Sequence, residues 1–228
     1  MGKIEINPIS NLLEEAKCLK RLLEEFVREK APGPRPSFSV VHVIKALELI
    51  AERPIGRNRL SKELVLGEGA TRTLIERLKS YGLITVNRVG CVFSKKGEKT
   101  WNILHAAFPR KIVLERSGLT LGAFNVAVLV KGCSRKIKLG MEQRDAALLT
   151  GAKGATTLIF KDGKLTVPPD YRNVAEDFPK VYRNLVDSMK PEENDVIVVG
   201  SADTLEKAGY GALAAAWSLL NNQDVVSR

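Results

Sequence analysis

Four side chains in one short stretch carry groups suited to recognition. Arg72, Thr73, Glu76 and Arg77 lie within Glu68–Tyr81. On a helix turning about 100° per residue they share one side with Gly69 and Ser80, while Thr71, Leu74, Ile75, Leu78 and Tyr81 share the other. The planar fork of Arg72 can pair with the O6 and N7 of a guanine. Thr73 can meet a thymine methyl or a phosphate, and Glu76 can accept from a cytosine amine. Arg77, nearer the flank, suits a phosphate equally well. Any packed surface helix has two such sides, so the neighbouring elements must decide what this one does.

Those elements have a recognisable order. Phe38–Glu52 predicts a helix with Val40, Val41, Ile44, Leu47, Leu49 and Ile50 on its apolar stripe. A short helix over Asn58–Leu64 is separated from the next by Gly67-Glu68-Gly69. Gly82 ends the helix carrying Arg72, and strands follow over Leu83–Asn87 and Cys91–Ser94, joined through Arg88-Val89-Gly90. A further helix runs from Lys96 to about Phe108. Helix, helix, helix, hairpin, helix is a winged helix-turn-helix order, with residues 68–81 as the recognition helix for the major groove.

Charge follows that order. The chain has 228 residues, 36 basic and 26 acidic, net +10. Residues 53–99 hold eleven basic and four acidic side chains, net +7, whereas residues 112–228 hold fifteen and fourteen. A surplus confined to one region is what binding to a phosphate backbone requires, because each neutralised phosphate releases counterions. Arg57, Arg59, Lys62, Arg88, Lys95 and Lys96 are the expected phosphate contacts. Double-stranded DNA is therefore the expected partner. One recognition helix reads few base pairs, so a homodimer is expected with it.

The run from Gly67 to Ile84, with Gly90 and Lys96-Gly97 after it, resembles winged-helix transcription regulators. Combined with Gln143-Arg144-Asp145 and Gly151-Ala152-Lys153-Gly154-Ala155-Thr156-Thr157, it resembles an archaeal family that joins a winged helix to a C-terminal domain of uncharacterised function. The resemblance spans roughly residues 38–220 and implies DNA binding, with no known ligand.

Outside the winged helix, Ile9–Lys30 predicts an amphipathic helix with balanced charge, which either packs on the winged helix or pairs with a second subunit. Ala31–Pro36 is a stiff proline-rich connector. Three segments result: residues 1–37 for this helix and connector, 38–110 for the winged helix, and 119–228 for a further domain, with Pro109–Gly118 as the link.

In that further domain Ala123–Lys131 predicts a strand, Ile137–Leu139 a short partner strand, and Glu142–Thr150 a helix. Ala155–Phe160 and Leu165–Val167 predict a hairpin, Val174–Met189 a single helix, Asp195–Val199 a buried strand, and Asp203–Leu220 a last helix capped by Asp203 and Glu206. The fold class is α+β, and a split-βαβ, ferredoxin-like core is its simplest form.

Two glycine-containing turns there could hold an anionic small-molecule effector. Gly151–Gly154 carries Lys153, with Thr156 and Thr157 after it and Arg144 and Asp145 before it, and Gly200–Asp203 carries Ser201. Neither turn matches a P-loop or a dinucleotide fingerprint, and ordinary turns share their composition. Gly209, Gly211 and the alanines after them suit close helix packing, for instance at a subunit contact.

Catalytic and metal chemistry have little to stand on. His42 and His105 sit in helical patterns, Cys18, Cys91 and Cys133 are widely spaced without a CxxC, and no carboxylate pair is singled out. No catalytic residue, metal or cofactor is expected. No apolar run approaches the roughly 20 residues of a membrane span, so no membrane partner is expected, and a cytoplasmic location is. The leading expectation is a DNA-binding transcriptional regulator whose C-terminal domain senses a metabolite or mediates assembly. The alternative is an enzyme acting on a nucleotide-like or anionic metabolite through that domain, with the winged helix as a protein or RNA contact.

Overall fold

The computed structural model describes residues 8–28 and 37–220. The proline-rich connector expected at Ala31–Pro36 lies outside the described residues. The chain divides into two compact units, Cys18–Leu104 and Met1–Lys17 with His105–Arg228.

The first helix, α1 (Pro8–Val27), continues from one unit into the other. Its Leu19, Leu23 and Phe26 are buried. In the Cys18–Leu104 unit Phe26 stands edge-on to Tyr81, with ring centroids 5.0 Å apart, and 6.4 Å from Phe38. The C-terminal half of this apolar stripe thus packs within the Cys18–Leu104 unit.

The remainder of that unit is α2 (Val40–Glu52), α3 (Arg57–Leu64), α4 (Glu68–Ser80), the hairpin β1 (Ile84–Asn87) and β2 (Gly90–Phe93), and α5 (Lys95–Ala107), whose last residues pass into the second unit. Ile55 bridges to Cys91 and adds a third edge to the hairpin. Two glycines make this packing possible. A Cβ at Gly90, whose φ is +124°, would stand 2.6 Å from the Ile55 carbonyl, and one at Gly97 would collide with the Leu83 carbonyl oxygen.

The second unit is built on a six-stranded antiparallel sheet. Its strands are β3 (Lys111–Leu114), β4 (Phe124–Val130), β5 (Gly154–Lys161), β6 (Lys164–Val167), β7 (Arg172–Asn173) and β8 (Val196–Ala202), in the order β3-β4-β8-β5-β6-β7. Helices α6 (Met141–Leu148) and α9 (Leu205–Ser218) cover one face. The other face carries the short α7 (Val174–Asp177) and α8 (Pro179–Met189) over a core of Leu114, Ala127, Leu129, Leu158, Leu185, Ile197 and Val199. Strand β8 is buried along its whole length, as a continuous apolar run at the middle of a sheet should be. Gly200 lets the backbone of α9 lie directly on it, since a Cβ there would strike the Ala212 amide.

The α+β class holds, with five corrections of detail. The strand between β4 and β5 is the last one, β8, whereas the ferredoxin-like arrangement inserts the third strand of the βαββαβ run. Strand β3 occupies the expected link. Ile137–Leu139 forms no strand and follows a 3-10 turn over Ser134–Lys136. The helix expected over Val174–Met189 is two, because Pro179 has no N–H and pushes Phe178 out of helical geometry (φ −137°, ψ 62°). The cap of α9 is the Thr204 hydroxyl, which accepts from the Lys207 N–H at 3.3 Å.

One buried ion pair ties β8 to β4. The Asp195 side chain is fully buried and accepts from Lys131 Nζ at 2.8 Å, the Gly132 N–H at 2.9 Å and the Glu192 N–H at 2.8 Å. Burial works against the Lys131 ammonium, but its hydrogen bonds to Asp195 and Glu192 outweigh this and hold its pKa above the ordinary lysine value. Burial pushes the Cys133 thiol up to about 11 and raises the Cys91 thiol as well.

Candidate nucleic-acid interface

The recognition chemistry sits on α4, whose burial follows its periodicity. Thr71, Leu74, Ile75 and Leu78 are buried, and Arg72, Thr73 and Glu76 are exposed. Gly67 begins the helix without a side-chain cap, and the hydroxyls of Thr71 and Thr73 donate back to the Gly67 and Gly69 carbonyls at 3.1 Å each. Thr73 therefore presents its methyl and a hydroxyl already in use as a donor. Glu76 lies 3.9 Å from Lys79, a loose pair at the surface that leaves its carboxylate available.

A groove of about 760 Å³ runs beside this face. Arg72, Ile75, Glu76 and Lys79 of α4 form one wall, Gly56 to Arg59 at the start of α3 a second, and Val86, Gly90 and Cys91 of the hairpin a third. Three arginines and a lysine thus surround an apolar floor. Arg57 and Lys62 of α3 and Arg88 in the hairpin turn are exposed, as is Lys95 at the start of α5. Arg59 makes a loose surface pair with Glu63 at 3.6 Å. Arg57, Arg59, Arg72 and Lys79 line the groove, and Lys62, Arg88 and Lys95 are exposed elsewhere on the same compact unit.

Two of the expected contacts are already engaged elsewhere. The Arg77 guanidinium donates through Nη1 to the carbonyls of Phe26, Val27 and Arg28 at 3.0, 3.3 and 3.2 Å, and stacks 5.6 Å above the Phe38 ring. It caps the C-terminus of α1, where the helix dipole favours a cation. Lys96 Nζ donates to the Tyr81 carbonyl at 2.8 Å and so closes the end of α4. The adjoining Ser94 hydroxyl donates to the Gly82 carbonyl at 2.5 Å and accepts from the Gly97 N–H at 3.1 Å. Neither arrangement has a signal in composition or periodicity, because each depends on which chain segments meet.

In the second unit the structure brings the two glycine-containing turns together. Gly154 pairs with Ser201 across β5 and β8, and Lys153 forms an ion pair with Asp203 at 2.6 Å. The hydroxyls there serve the fold. Ser201 Oγ donates to Asn125 Oδ1 at 2.7 Å and accepts from the Leu121 N–H at 3.1 Å, while Thr156 Oγ1 donates to the Leu119 carbonyl at 3.0 Å. Arg144 pairs with its neighbour Asp145 at 3.1 Å. Thr157 Oγ1 is buried beside Gly140 with no hydrogen-bond partner among the described residues. No group of three or more potential metal ligands occurs among the described residues, nor any helix long and apolar enough to cross a membrane.

Fold and site together define the class: a winged-helix-type unit with a cationic groove, carried in one chain with an α+β unit. The comparisons with known proteins fall in the same two places. Residues 41–99 match a family model described as PH0730-like, N-terminal domain, and residues 121–219 match one described as a domain of unknown function (DUF4443). Among solved structures the chain is similar to the hypothetical protein PH0730 from Pyrococcus horikoshii OT3. The two are 29% identical, with a TM-score of 0.65 over 80% of this chain and 93% of that one. No curated protein matches the chain.

Proposed function

We propose that this protein is a DNA-binding transcriptional regulator that places α4 in the major groove of duplex DNA, with α3 and the β1–β2 hairpin against the flanking phosphates. One observation carries the reading. The exposed face of α4 opens onto a groove whose other walls are the start of α3 and the hairpin, and Arg57, Arg59, Arg72 and Lys79 line it. The net +7 of residues 53–99 supports it, since that charge is far more than a helical surface needs for solubility. Arg72 and Glu76 read base edges, and Arg57, Arg59, Lys62, Arg88 and Lys95 hold the backbone. Arg77 and Lys96 set the position of α4 instead.

The C-terminal unit is assigned assembly of a homodimer, which supplies the second half-site that one recognition helix lacks. This assignment is favoured over effector sensing because the Ser201 and Thr156 hydroxyls at the glycine turns are already taken. The protein acts in the cytoplasm, where its DNA is.

The test is duplex binding by the full chain across a salt series. Affinity should fall steeply between low and physiological ionic strength, and removing Arg57 should lower the logarithmic salt slope by about one. Binding that does not respond to salt would defeat the reading.

A further inference from the structure

We propose that two copies of this chain pair through the outer face of α6. The pairing rests on the assembly role proposed above for its purpose, and on the structure of α6 for its evidence. That helix is turned the wrong way for a monomer. Its inner face buries Gln143 and Ala147, at 2% and 0% exposure, and Gln143 Nε2 reaches Ser218 Oγ at 3.2 Å. Its outer face shows Met141, Leu148 and Leu149, the last 90% exposed. With Asp145 these occupy positions i, i+4, i+7 and i+8, a single stripe along the helix. Leu139, just before the helix, is exposed as well. A surface helix ordinarily buries its leucines and presents its glutamine, and apolar side chains gathered outside around a single charged residue mark a contact surface.

The charge on the stripe names the partner. Arg144 and Asp145 are adjacent and about half exposed, and their pair contributes little by itself in water. A two-fold contact sets a patch against its own copy, so it must be complementary to itself. A patch with one cation and one anion side by side meets that condition. Two α6 helices crossing antiparallel near Asp145 bring Arg144 of each chain to Asp145 of the other. The near-neutral charge of residues 112–228 suits a protein partner and not a polyanion.

The patch also reaches beyond the helix. Leu121, itself exposed, and Arg144 both lie over Gly154, where a Cβ would stand 3.0 Å from Leu121 Cδ1 and 3.5 Å from Arg144 Cγ. Eight helical residues alone fall short of the roughly 800 Å² per partner of a standard interface, so Leu121 and Leu139 belong to the contact.

Sedimentation of the full chain without DNA, across the micromolar range, tests this. Wild type should dimerise, and Leu149→Arg should weaken the dimer more than about tenfold with an unchanged melting temperature, because that side chain is 90% exposed. Arg144→Glu and Asp145→Lys should each be monomeric, since each makes the patch single-signed, and an equimolar mixture of the two should recover the dimer.

A wild-type chain that stays monomeric, a dimer that survives Leu149→Arg, or a mixture that fails to recover would overturn the proposal. So would dimerisation that appears only after removal of Asn221–Arg228, which would make that segment the occupant. Failure of the DNA reading is separate: a dimer behaving as expected that binds no duplex leaves the pairing intact, and a monomer that binds duplex removes the pairing alone.

Discussion

Arg77 Nη1 donates to the Phe26 carbonyl at 3.0 Å, joining the last turn of α4 to the end of a helix fifty-one residues earlier in the chain. The Phe38 ring lies beneath the guanidinium, and Phe26 reaches on to Tyr81 at the end of α4. The orientation of α4 is therefore set at its C-terminal end, by Arg77 on α1 and by Lys96 on the Tyr81 carbonyl.

Arg77→Ala should destabilise the Cys18–Leu104 unit by about 1.5–3 kcal/mol, the range for hydrogen bonds that involve a charged group. Arg77→Lys should recover only part of this, because an ammonium has no planar fork to span three carbonyls. Urea denaturation measures the loss. The salt slope of duplex binding should stay as in wild type, unlike that of Arg57→Ala, which sorts the two arginines into structural and backbone-contacting roles.

His42 makes α2 sensitive to acid. Its Nδ1 accepts from the Ser39 N–H at 3.1 Å at the start of the helix, and burial lowers the imidazole pKa below its ordinary value of 6.5. The unfolded chain thus binds the proton more readily than the folded one, so this stability is present above 6.5 and is lost as pH falls from there toward the folded pKa. Melting temperatures at pH 7.5 and 5 should differ more for wild type than for His42→Gln. Equal differences would remove His42 from the account.

Asp195→Ala should cost the C-terminal unit about 3 kcal/mol or more, as removal of one partner from a buried ion pair does. The substitution leaves two backbone N–H groups, those of Gly132 and Glu192, without their acceptor and Lys131 with Glu192 alone, at the junction of β4 and β8. Glu192→Ala should cost far less, because its carboxylate lies in solvent. Thermal unfolding of the two variants side by side checks the ranking.

The winged-helix elements were legible because their signals are local. The 3.6-residue periodicity of α2 and α4 and the positive φ of Gly82 at the end of α4 each answer to geometry within a few residues of chain. The position of β8 between β4 and β5 was not legible, since strand order is a non-local fact; only the unbroken apolar run Val196–Val199 announced a central strand. Lys111–Leu114 lies just after Pro109 in a stretch whose composition reads as a link, although its alternating exposure is that of an edge strand. In the candidate site the exposed face of α4 could be read from spacing, and the cluster of basic residues from charge. The commitment of Arg77 could not, because nothing in residues 68–81 announces that the end of α1 lies against them.

The measurement that bears most directly on the central claim is selection of bound sequences from a random duplex pool, done in parallel with wild type and Arg72→Ala. Wild type should enrich a defined site, and Arg72→Ala should lose about 1–3 kcal/mol on that site and discriminate less at one base pair while keeping the preference elsewhere. Absence of any enriched site with wild type, or an equal loss by Arg72→Ala on every sequence, would contradict a recognition helix that reads bases through Arg72.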